Sequence, residues 1–80
     1  MPIFSYLATP NDGQKNDLLR DLNNLEYCEA MPAENEELII LVTETTDPDE
    51  EKVLQKQLKE LVSLQHLSMT YGHADQADHN

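Results

Sequence analysis

Apolar residues recur along this chain in two alternating rhythms, one of strands and one of helices. Ile3-Phe4-Ser5-Tyr6-Leu7-Ala8 is rich in apolar and aromatic residues and stops at the turn formers Thr9-Pro10-Asn11-Asp12-Gly13, which predicts a strand and then a loop. Leu18, Leu19, Leu22 and Leu25 fall on one helical stripe. They predict a helix from about Gly13 or Gln14 to about Asn24, with Asn11 or Asp12 as its cap. Tyr27-Cys28-Glu29-Ala30-Met31 is a weaker strand, closed by Pro32, which cannot donate to a ladder. The polar run Ala33-Glu34-Asn35-Glu36 predicts a hairpin loop before Leu38-Ile39-Ile40-Leu41-Val42-Thr43, a continuous apolar run that suits the centre of a sheet.

Asp47-Pro48-Asp49-Glu50 is a helix start. Asp47 fits the cap, Pro48 the first helical position, and Glu50 stands three residues after the cap, where a capping box places its acid. Leu54, Leu58 and Leu61 make the stripe of this second helix, with Val53, Val62 and Leu64 at its margins; Lys52, Lys56 and Lys59 lie off it and are placed to pair with neighbouring acids. His66-Leu67-Ser68-Met69-Thr70-Tyr71 alternates, with Leu67, Met69 and Tyr71 on one face, and Gly72 ends it. A polar tail, residues 73–80, is expected to be disordered and leaves one domain over residues 1–72.

The order strand, helix, strand, strand, helix, strand is two copies of a βαβ unit. It predicts the α+β, ferredoxin-like sandwich, a four-stranded antiparallel sheet with two helices on one face, the first and third strands central and the other face open. With Ile39 and Leu41 assigned to that open face, they join Ser5, Tyr27, Met31, His66, Ser68 and Thr70, with Glu29 on the rim. An apolar strip with an acidic rim suits a basic amphipathic peptide. The competing use of the face is a homodimer, since two-fold pairs are the commonest oligomers. A monomer or weak homodimer is expected.

Charge narrows the partners. Sixteen acids against five bases give a formal charge of −11, which disfavours nucleic acid and anionic membranes and favours either simple solubility or a basic partner. The single cysteine, Cys28, excludes an internal disulfide and a CxxC site. Beside Glu26 and Glu29 its pKa is expected to rise, which fits a small packed residue better than a nucleophile. Met1 to Leu7 lacks the basic region and apolar length of a secretory signal, and a cytoplasmic location is expected.

Catalytic chemistry finds little support. His73, Asp75, Asp78 and His79 have ligand chemistry but lie on a tail without an apolar shell, so no metal is expected there. His66 has no visible partner that would make it a base. Glu36-Glu37 and Glu50-Glu51 read as solvated charge. Glycines at 13 and 72 cannot build a phosphate loop, and Arg20, the only arginine, sits on the first helix. No cofactor and no enzymatic activity are expected.

Residues 3–73 resemble the NapD family, the cytoplasmic chaperones of periplasmic nitrate reductase. Phe4-Ser5-Tyr6-Leu7 is similar to that family's first strand, with Ser5 at its recurrent serine. Leu25-Glu26-Tyr27-Cys28-Glu29 is similar to the passage from first helix to second strand, Glu37-Leu38-Ile39-Ile40-Leu41-Val42 to the third strand, and Leu64-Gln65-His66-Leu67-Ser68-Met69-Thr70-Tyr71 to the closing strand. The family often has Pro-Gly where Glu26-Tyr27 stand. The resemblance implies a chaperone that binds the twin-arginine signal peptide of the nitrate reductase catalytic subunit on the open sheet face and delays export until cofactors are inserted. Two other readings stand beside it: a dimeric small-ligand-binding regulatory domain of ACT type, which would need a glycine-rich turn where only Gly13 qualifies, and an assembly factor without a signal-peptide role.

Overall fold

The computed structural model describes residues 2–73. It is an α+β sandwich with the ferredoxin-like order: β1 (Ile3–Pro10), α1 (Lys15–Asn23), β2 (Cys28–Pro32), β3 (Ile39–Glu44), α2 (Pro48–Lys59) and β4 (Leu64–His73). The four antiparallel strands run β2-β3-β1-β4, so β1 and β3 are central. Residues 74–80, and with them the rest of the expected tail and its candidate ligands Asp75, Asp78 and His79, lie outside the described residues; His73, expected in that tail, instead closes β4, which runs one residue past Gly72.

One face of the sheet packs on the helices. Tyr6 and Ala8 from β1 and Ile39 and Leu41 from β3 meet Leu18 and Leu22 from α1 and Leu54 and Leu58 from α2, all buried. Leu19, Leu25 and Leu61 close the margins half-buried, whereas Val53 and Val62 stand in solvent. Burying one Leu side chain is worth about 1.5–3 kcal/mol, so the four buried helix leucines anchor both helices to the sheet.

The helix starts differ. Asp47 caps α2 as its sequence predicts: the side chain accepts from the Glu50 backbone N–H at 2.8 Å, and Pro48 follows. Helix α1 begins later than expected and its cap position is Gln14, without a side-chain bond, in place of Asn11 or Asp12. Asn11 is used elsewhere. Its amide donates to the Val62 carbonyl at 2.7 Å and its backbone N–H to Ser63 at 2.9 Å, clasping the loop before α1 to the loop before β4. Ser63 then donates to Asp21 Oδ2 at 2.8 Å. The three α2 lysines form no ion pair with a described acid; the ion pair among the described residues is Arg20 with Asp17.

Candidate functional site

Cross-strand partners share a face, so the register sorts every sheet residue. Ile39 and Leu41 are fully buried under the helices, which corrects their expected place on the open face. The residues of opposite parity, Ile40, Val42 and Glu44, face away from the helices. Strand β1 presents Ile3, Ser5, Leu7 and Thr9 there. Two rows cross the sheet: Met31, Ile40, Leu7 and Ser68, and Glu29, Val42, Ser5 and Tyr71. Ser5, Glu29, Met31 and Ser68 thus lie where the sequence placed them, and His66 is level with Thr9.

Tyr71 moves the other way. Tyr6 pairs with Met69 but Ser5 pairs with Tyr71, so Thr70 is an extra residue in β4. This bulge turns Tyr71 to the open face and leaves Leu67 and Met69 on the helix side. The expected sharing of one face by Leu67, Met69 and Tyr71 is corrected accordingly. Thr70 has no partner on β1, and its hydroxyl donates to the Ser5 carbonyl at 3.2 Å. Gly72 follows the bulge opposite Phe4, where an added Cβ would sit 2.7 Å from the Phe4 ring.

The face is a shallow apolar floor of Ile3, Leu7, Met31, Ile40, Val42 and Tyr71. Met31, Ile40 and Tyr71 are 46%, 37% and 57% exposed. At its β2–β3 end lies a hollow of about 250 Å³ lined by Tyr27, Cys28, Glu29, Val42 and Glu44. Tyr27 precedes β2 with φ 69°, a left-handed conformation that costs a bulky side chain about 1–2 kcal/mol. Its carbonyl accepts from Glu44 N–H at 3.0 Å, which ties that backbone to β3. Two carboxylates and a phenol ring beside apolar floor can take a cation through its charge and its stem together.

A polar cluster that the sequence reading missed lies on the helix side. Glu51, expected to be solvated, is 2% exposed. Its carboxylate accepts from the Tyr6 hydroxyl at 2.6 Å, from Thr43 at 2.9 Å and from Thr45 at 2.9 Å, and Gln55 donates to the Tyr6 oxygen at 3.0 Å. Its seat in the first turn of α2 also sets it at the positive end of the helix dipole. Burial, then the bond to Glu51, raises the Tyr6 pKa well above the ordinary phenol value, so Tyr6 keeps its proton and serves as a donor. A cleft of about 140 Å³ opens beside this cluster between Tyr6, Gln55, Lys59, Leu67 and Met69.

The Cys28 thiol is pushed up to about 11, as expected in direction, but by burial and then by Glu51 rather than by Glu26 and Glu29. At neutral pH it stays a thiol, packed against the core. Among the described residues, no three His, Cys, Asp or Glu side chains converge on a metal position, and no helix is long and apolar enough to cross a membrane.

No protein-family model matches the chain, and no curated protein matches it in sequence.

Proposed function

We propose that the chain is a cytoplasmic, non-catalytic chaperone of the NapD type, which binds the twin-arginine signal peptide of a nitrate reductase catalytic subunit and delays its export until cofactors are inserted. The observation that carries this reading is the open sheet face: an apolar floor with Glu29 and Glu44 at one end, on a chain of net charge −11. A signal peptide of this kind joins a basic segment to an apolar helix. The floor suits the apolar part and the acidic end suits the basic part. The left-handed φ of Tyr27, at the position where NapD proteins often carry glycine, gives further support.

Backbone amide shifts followed by NMR during addition of the peptide test the reading. Shifts should concentrate at Leu7, Ile40, Val42 and Tyr71. Shifts confined to α1 and α2 would overturn it.

A further inference from the structure

On the helix side, α2 leaves the last strand of the sheet partly bare. Leu67 and Met69 of β4 face the helices, yet Met69 is 49% exposed. Between these two side chains and α2 lies the cleft of about 140 Å³, with Tyr6, Gln55 and Lys59 completing its lining. Lys52 stands seven residues before Lys59, so it returns to the same flank of the helix one heptad earlier, and Lys56 stands one turn before Lys59 beside it.

These lysines are where the chain keeps its available positive charge. It has five basic side chains. Lys15 donates to the Ala33 and Glu36 carbonyls, and Arg20 pairs with Asp17. The three on α2 have no hydrogen-bond or ion-pair partner among the described residues. Asp49 and Glu60, exposed at the two ends of the lysine run, are the acids that α2 sets nearest it. Strand β4 adds none, since residues 61–74 contain no Asp, Glu, Lys or Arg. Glu51 lies behind Tyr6, and its carboxylate already accepts from Tyr6, Thr43 and Thr45. Salt screens exposed charges beyond about 8 Å, so the lysines in contact with an anion outweigh the distant acids behind the net −11.

We propose that this cleft binds a small carboxylate with a compact apolar body, its charge on the Lys59 ammonium and the Gln55 amide and its body over Leu67 and Met69. The size follows from the volume: an apolar cavity of about 150 Å³ holds one benzene. The charge follows from the donors. Gln55 spends one N–H on the Tyr6 oxygen and keeps the other, beside a single ammonium. One ammonium and one amide, without an arginine or a nest of backbone N–H groups, match a single planar carboxylate better than a phosphate. The Met69 thioether favours an aromatic body, through sulfur–ring contact. The cleft lies across the sheet from the floor around Ile40 and Val42, so the proposal does not rest on the peptide reading.

Titration of the full chain with sodium benzoate, followed by NMR at constant ionic strength, tests this. The Met69 and Leu67 methyls and the Gln55 side-chain amide should shift and saturate, with a dissociation constant of about 1 mM or tighter. Benzyl alcohol, of similar shape without the charge, should bind at least about tenfold more weakly. Lys59→Gln should weaken benzoate about tenfold or more and bring it level with the alcohol, while Ile40→Glu on the floor should leave it unchanged. Circular dichroism melts establish that each variant is folded. Shifts that do not saturate by about 50 mM, an equal response to benzyl alcohol, or benzoate binding indifferent to Lys59→Gln in the folded variant would overturn the proposal.

Discussion

The Tyr6 hydroxyl on β1 donates a 2.6 Å hydrogen bond to Glu51 Oε2 on α2, across 45 residues of sequence. It joins the central strand to the second helix inside the core, and Thr43 and Thr45 from β3 and its following loop complete the carboxylate's partners. A buried carboxylate without these donors would be expensive, and the donors without it would be unpaired.

Removing either partner should therefore cost more than an exposed substitution. Tyr6→Phe is expected to lower stability by about 1–2 kcal/mol, and Glu51→Ala, which strands three hydroxyls and leaves a void, by about 2–4 kcal/mol. Urea unfolding at pH 7 checks this through the midpoint, with the slope unchanged.

The same phenol gives an alkaline signature. Its folded pKa lies above the unfolded value, so its contribution is complete below about pH 10. Above that pH the unfolded state releases the proton first, and stability falls by about 1.4 kcal/mol per pH unit. Urea midpoints measured between pH 9 and 12 should fall less steeply for Tyr6→Phe than for the wild type, apart from the shared effects of other groups.

Cys28 should be slow. With the thiol pushed up to about 11, alkylation by iodoacetamide at pH 7.5 is expected to run well below the rate of a free cysteine and to climb towards pH 11. A fast reaction at neutral pH would contradict the packed position of the side chain.

Tyr27→Gly separates stability from binding. Relief of the φ 69° conformation, offset in part by the greater freedom of glycine when unfolded, should raise stability by about 0.5–1 kcal/mol. The peptide affinity should fall, because the ring lines the acidic hollow. Thermal melts and a binding titration on one preparation check both.

Much of the fold was legible because each level agreed: the leucine stripes set the helices, Asp47-Pro48 set the start of α2, and the turn clusters separated the strands. The face of β3 was not, since Leu38 to Val42 is apolar at both parities. Glu44 held the clue. A charged residue in step with Ile40 and Val42 marks the outward parity, and Thr43 and Thr45 were the polar residues that went inside. Glu51 was mistaken for solvated charge although it stands three and seven residues before Leu54 and Leu58, on their stripe. The β4 bulge that turns Tyr71 outward depends on the pairing with β1 and has no local signal beyond Gly72 opposite Phe4.

Calorimetric titration of the protein with a twin-arginine signal peptide of nitrate reductase, beside double-lysine and scrambled versions, tests the proposed function most directly. Binding should be micromolar or tighter, weaken with salt and in the scrambled control, and fall by about tenfold or more for Ile40→Glu, which sets a charge in the apolar floor. No heat at high peptide concentration with folded protein, or binding indifferent to Ile40→Glu, would contradict it.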